Sequence, residues 1–211
     1  LSHRSLILAS GSPRRRELLA AAGYQFEVIP ADVDELDYPA GTPPLGLAEL
    51  LARRKASVIS ERYPEALVLG ADTVVALGNP SGDGAAIGKP ADEADAAAML
   101  RRLGGTAHTV ITGVCLMCTA TGLTQTRTVQ STVFMKAMSD DEIARHIASG
   151  QWRGKAGGYG IQDQGADPFV MRQEGSQTNV VGLPMEVVSQ MLGEAGVGGE
   201  TGMTKKLNPN Q

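Results

Sequence analysis

The sequence predicts an α/β fold, a mixed sheet with flanking helices, and three features of its 211 residues carry that expectation. Short apolar runs alternate with helical periodicity through the first half, which argues for partly parallel strands. Two long β-rich runs, 108–118 and 123–136, are joined across 119–122, which argues for an antiparallel hairpin. A hydrophobic fraction of 42% against 20% charged residues suits one domain, or two closely packed lobes, with a substantial core.

Each element follows from its own residues. The apolar run 6–9 is a strand, and Ser12 as N-cap, Pro13 at the first helical position and Gly23 beyond the end define a helix over 13–22. A strand over 26–30 stops at Pro30, a helix spans 45–62, and the run 67–77 is a strand. The Gly-, Asn- and Pro-containing stretch 78–85 is a surface loop, followed by a helix over 91–103. Beyond the hairpin, Ser139 and Glu142 have the spacing of a capping box for a helix over 139–149, with Gly150 behind it. The last helix starts at Pro184 and fades by Gly193. Residues 1–195 are expected to form the domain, and 196–211, rich in Gly, Lys, Asn and Thr without periodicity, a disordered tail.

Composition removes several classes of function. With 19 Lys and Arg against 23 Asp and Glu the net charge is -4, so no general basic field exists to hold a nucleic-acid polymer, and any anion site is local. No apolar run reaches the ~20 residues of a membrane span and no leader is recognisable, so no membrane partner and a cytoplasmic location are expected. Cys115 and Cys118 are spaced C-x-x-C but lie on a strand, where residues three apart face opposite ways, so they are expected to be buried, inert thiols.

Five clusters can carry chemistry. Arg14, Arg15 and Arg16 fill the first turn of the first helix, where the helix dipole disfavours cations by on the order of 0.3–1 kcal/mol each unless an anion is present. The turn therefore reads as a phosphate site, and Arg15→Ala is expected to weaken phosphate binding while leaving stability unchanged or slightly raised. The rival reading lets the arginines fan into solvent or pair with nearby acids. The acids Asp32, Asp34 and Glu35 suit a hard divalent cation or a solvated turn. Asp72 stands inside an apolar strand and needs a cation, a metal or a proton-transfer role, or backbone hydrogen bonds. Lys55 and Lys89 are candidate point charges for phosphate, Lys89 being held between Gly88 and Pro90. The glycine-rich run 154–162 lets backbone approach a ligand, and Gln162 offers a donor and an acceptor to a base edge. No nucleophile elbow, zincin helix or dinucleotide fingerprint is present in the sequence.

Taken together and in order, these segments resemble the Maf family of nucleoside triphosphate pyrophosphatases, also called septum formation proteins, from about Ser5 to Leu192. The match rests on Ser10-Gly-Ser-Pro-Arg-Arg-Arg-Glu-Leu-Leu19, Asp34-Glu35, Arg54-Lys55-Ala56, Gly70-Ala-Asp-Thr-Val-Val75, Gly88-Lys-Pro90, His108-Thr-Val-Ile-Thr-Gly-Val114, Gly158-Tyr-Gly-Ile-Gln162 and Gly175-Ser-Gln-Thr-Asn-Val-Val-Gly-Leu-Pro184. The resemblance implies an inosine triphosphate pyrophosphatase-like fold with two lobes around a nucleotide cleft, and often a homodimer. It implies cleavage of a nucleoside triphosphate between the α and β phosphates, with Mg²⁺ or Mn²⁺ as cofactor.

On the same resemblance, Asp72 is the catalytic carboxylate that orients or deprotonates water, Glu35 and Asp72 hold the metal, and Ser10, Arg14, Arg15, Lys55 and Lys89 bind the phosphates. Arg14, Thr73 and Gln162 match the dTTP and UTP type rather than the 7-methyl-GTP type. The 78–85 insertion and Asp163 depart from the usual pattern. The competing classes are a non-catalytic nucleotide-sensing regulator of cell division, which would not need Asp72, and a pyrophosphatase for a modified nucleotide such as 7-methyl-GTP.

Overall fold

The computed structural model describes residues 4–160 and 169–199. The expectations attached to Gln162, to Asp163 and to the tail from 200 to 211 therefore lie outside the described residues.

One mixed sheet organises the chain. Strand β1 (Leu6–Leu8) lies parallel to β2 (Glu27–Val28) on one side and to β3 (Leu67–Leu77) on the other. Strand β3 runs antiparallel to β4 (Ala85–Ile87) and to β5 (Ala107–Cys118), and β6 (Leu123–Met135) and β7 (Val170–Glu174) continue antiparallel beyond β5. The expected hairpin closes through a single 3₁₀ turn over Thr119–Thr121. Among the described residues six α-helices accompany the sheet: α1 (Pro13–Ala21), α2 (Pro44–Arg62), α3 (Glu93–Leu103), α4 (Asp140–Ser149), α5 (Gln177–Val181) and α6 (Met185–Glu194). The capping box of Ser139 and Glu142 is formed on α4.

Two departures from the sequence reading concern β4 and the region between 169 and 182. The stretch 78–85 does form a loop, but its last residue already belongs to β4, which folds back on β3 through pairing of Leu77 with Ala85 and Val75 with Ile87. Strand β7 and helix α5 were not anticipated. Of the four tail residues that are described, Val197 packs on the core and its N–H bonds Leu192, so order reaches past 195.

Alternation along β3 sorts the core. Val68, Val74 and Ala76 face α2 through Ala48, Leu51, Ala52, Ala56 and Ile59. Leu67, Leu69 and Ala71 face α1 and α6, and Val75 faces α3 and α4. Helix α2 approaches the sheet closely at two points, where the strands beneath it carry Gly70 and Gly113. A Cβ on Gly70 would stand 2.4 Å from the Ala52 carbonyl oxygen, and one on Gly113 would stand 2.3 Å from that of Ala48. Cys115 and Cys118 are buried as free thiols in clusters on opposite faces of the sheet, as expected.

The sheet also contains a gap. Along one edge of β3, β1 occupies Leu67–Leu69 and β4 occupies Val75–Leu77, so residues 70–74 have neither strand beside them. The candidate site opens at that gap.

Candidate active site

A cavity of about 350 Å³ borders the gap, within the range that holds a small ligand. It is lined by the turn from Ala9 to Arg15, by Glu35, Lys55, Asp72, Thr73, Lys89, the stretch 154–156 with Tyr159, and the end of α5. Of the nine residues assigned to the site from sequence, eight meet here, and Gln162 lies outside the described residues.

Its charged wall is one connected array. The Lys55 ammonium donates to Asp72 Oδ1 at 2.5 Å and to Glu35 Oε1 at 2.7 Å, and Lys89 donates to Glu35 at 2.8 and 3.1 Å. Lys55 and Asp72 are only 5% and 4% exposed, so each is the other's compensation for leaving water. Burial works against ionisation of Glu35, but its hydrogen bonds to Lys55 and Lys89, with their charge, win and hold its carboxyl at about 2. The loop carrying Glu35 is pinned by Arg54, which donates to the carbonyls of Asp34 at 2.9 Å and Asp37 at 2.7 Å. Sequence reasoning assigned Arg54 no role, although it adjoins Lys55.

The arginine turn divides its labour. Arg14 lines the cavity and reaches the Gly154 carbonyl at 3.5 Å, across the mouth, while Arg16 is exposed. Arg15 is buried, against the expectation of a cation offered to phosphate. Its Nε donates to the Gly182 carbonyl at 2.8 Å, and Nη1 donates to the Ala71 carbonyl at 2.8 Å and to Ser10 Oγ at 3.1 Å. Nη2 donates to Thr73 Oγ1 at 3.1 Å. Four of the five guanidinium donors are thus committed to the protein. Burial lowers the Arg15 pKa, an effect the nearby Asp72 charge opposes. The sheet gap is the physical reason that Arg15 turns inward. The Ala71 carbonyl has no strand to bond it, and Arg15 fills that place.

A less polar wall faces these charges, formed by Val75, Val110, Tyr159, Val180 and Val181. Tyr159 is held by His108, whose Nε2 lies 2.5 Å from the phenol oxygen, with the rings edge to face. Burial lowers the His108 pKa to about 4, so its ring is neutral near pH 7. Lys155, to which the sequence reading gave no role, also lines the cavity, and a Cβ on Gly160 would meet its ammonium at 2.9 Å.

The donor set suits a hard cation. Asp72 and Glu35 bring carboxylate oxygens to one wall, and among the described residues no hydrogen bond reaches Asp72 Oδ2. No group of three or more His, Cys, Asp or Glu converges among the described residues, so the protein offers a pair of carboxylates rather than a cage. That is the manner of Mg²⁺ sites completed by substrate phosphates.

The profile of the Maf-like proteins matches residues 5–195. The chain belongs to the Maf-like family. A dTTP/UTP pyrophosphatase of Pelotomaculum thermopropionicum is 45% identical over 193 residues, covering 92% of this chain and 97% of the relative. Another, from Koribacter versatilis, is 46% identical over 192 residues, covering 91% and 95%. Among solved structures, a HAM1 protein from Coxiella burnetii aligns over 90% of this chain and 99% of that one, with 14% identity and a TM-score of 0.49. In this Maf-like chain no helix among the described residues is long and apolar enough to cross a membrane.

Proposed function

We propose that this chain hydrolyses nucleoside triphosphates, dTTP and UTP in particular, between the α and β phosphates, releasing a nucleoside monophosphate and pyrophosphate. The observation that carries the reading is the array of Lys89, Glu35, Lys55 and Asp72 on one wall of the cavity, with Arg14 across the mouth. The relatives named dTTP/UTP pyrophosphatase support the same reaction and bases.

In this reading Lys55 fixes one oxygen of Asp72, and the other orients the attacking water and accepts its proton. Lys89 and Arg14 stabilise the charge that develops on the leaving pyrophosphate, the largest contribution expected in a site of fixed cations. Ser10, whose Oγ accepts from Arg15 and from the Ser12 N–H, shapes the turn that receives the phosphates. Asp72 and Glu35 would hold Mg²⁺ or Mn²⁺, which when bound supplies Lewis-acid stabilisation of the phosphate oxygens. Arg14, Thr73 and Gln162 select the base. A cytoplasmic location and pairing of two copies belong to the same proposal.

The test is pyrophosphate release over a panel of dTTP, UTP, dCTP, dATP, dGTP and 7-methyl-GTP with Mg²⁺ or Mn²⁺. Faster turnover of dTTP and UTP is expected. Preference for 7-methyl-GTP overturns the base assignment, and absence of pyrophosphate from every nucleotide overturns the activity in favour of a nucleotide sensor.

A further inference from the structure

Thr112 takes no part in lining the cavity, is fully buried on β5, and stands opposite Thr73 in the register with β3. Its single hydroxyl proton is donated to the Asn179 carbonyl at 3.0 Å. Thr73 Oγ1 lies 2.9 Å from Thr112 Oγ1. A hydroxyl has one proton and two lone pairs, and that of Thr112 is already spent, so the proton between the two threonines belongs to Thr73. Arg15 Nη2 simultaneously donates to Thr73 Oγ1. The direction of every bond in the row from Arg15 through Thr73 and Thr112 to Asn179 is therefore fixed. Thr73, which borders the cavity, is left with no proton to give and one lone pair to offer.

We infer that Thr112 is a positioning residue for base selection: it makes Thr73 an acceptor-only contact, matched to the imide N3–H of a pyrimidine-2,4-dione. This rests on the dTTP and UTP reading above and deepens it. Uracil and thymine present a donor at N3. Cytosine presents an acceptor there, so two acceptors would face each other with no proton between them.

Thr112→Val keeps the shape of the side chain and removes the hydroxyl, freeing the Thr73 proton to turn toward the ligand. The ratio of kcat/KM for UTP over CTP is expected to fall about tenfold, the worth of one mismatched hydrogen bond, with CTP gaining. Thr112→Ser, which rebuilds the row, is expected to restore the native ratio. A folded Val variant with the native ratio overturns the inference and leaves the pyrophosphatase reading intact, whereas a native protein that releases no pyrophosphate from UTP overturns both. If the Val variant does not fold, the native protein decides by its alkaline limb. An acceptor-only contact requires protonated N3, so kcat/KM for 5-fluoro-UTP, whose imide is the more acidic, should fall at lower pH than for UTP. Coincident alkaline limbs overturn the inference.

Discussion

Arg15 Nε donates to the carbonyl of Gly182 at 2.8 Å, joining the first helix to the end of α5 across 167 residues of sequence. With the bonds to Ala71, Ser10 and Thr73, the guanidinium fastens three segments of the cavity wall. Removing it leaves buried acceptors unpaired, at about 1–3 kcal/mol apiece. Arg15→Ala is therefore expected to lower stability by several kcal/mol, the reverse of what the helix dipole alone suggested. Arg15→Lys, which keeps the charge but not the fork, should recover little of it. Thermal or urea unfolding checks this, and an Ala variant with native stability would show that the bonds are dispensable.

Gly113 lies under α2, and a Cβ there would stand 2.3 Å from the Ala48 carbonyl oxygen and 2.9 Å from the Glu49 nitrogen. Backbone cannot yield as a side-chain tip can, so Gly113→Ala must lift the helix that carries Lys55. Overpacking of this kind costs about 1–3 kcal/mol. Because Asp72 is the residue paired with Gly113 across β3 and β5, turnover should fall along with stability. Unfolding and kcat measured on the same preparation test the link. Loss of stability with native kcat would separate the seating of α2 from the chemistry.

How legible the molecule was in its sequence depended on whether a segment buries a repeating pattern. β3, α2 and the β5–β6 hairpin were readable because alternation or helical period matches a buried face. β7 was not. In Val170–Glu174 the residues are half-buried or exposed, Met171 is 73% exposed, and the strand is held by backbone pairing to β6, which leaves no mark on hydrophobicity. α5 spans only Gln177–Val181 and is set by the Ser176 cap and by Asn179, whose amide bonds Val110 and Ser131. Within the site, charge marked Asp72, the acids around Glu35, Lys55 and Lys89 as candidates, and the family resemblance gave them their expected roles; the structure brings all four to one cavity. The inward turn of Arg15 was not conspicuous. It answers a gap in the sheet that exists only once β1 and β4 have taken their places on β3.

His108 and Glu35 govern the upper and lower parts of the acid response, which meet between about pH 4 and 4.5. The His108 pKa falls from 6.5 to about 4 through burial, so the unfolded chain takes up a proton first and stability drops as pH falls from 6.5 toward 4. That contribution is on the order of 3 kcal/mol, and His108→Asn should remove it, flattening the melting temperature over this interval. The Glu35 pKa also falls, but because the fold favours its charged form, where burial favours the neutral form of His108. Its pKa of about 2 against an ordinary 4.5 gives stability present above 4.5 and lost as pH falls toward 2. Glu35→Gln should therefore lower stability above pH 4.5 by a constant amount and remove the loss between about 4.5 and 2, leaving the decline between 6.5 and 4.5 to His108. Unfolding midpoints measured from pH 2 to 8 distinguish the two, and identical profiles for native protein and His108→Asn would overturn the assignment of the upper window.

Asp72 is the residue on which the proposed reaction turns, and its replacement tests both its charge and its place. Asparagine keeps the volume and can still accept from Lys55 through its carbonyl oxygen, so the fold should persist. It cannot take a proton from water, and it puts an amide where the second carboxylate oxygen stood. Turnover is expected to fall by about 10²-fold or more, the scale of a general base. Chelation of divalent metal should abolish the activity of the native protein and return it on adding Mg²⁺ or Mn²⁺, whereas in Asp72→Asn added metal should restore little, since one of the two carboxylates that would hold it is gone. A folded Asn variant that turns over dTTP at the native rate would remove Asp72 from the chemistry and leave its bond to Lys55 as a structural pair.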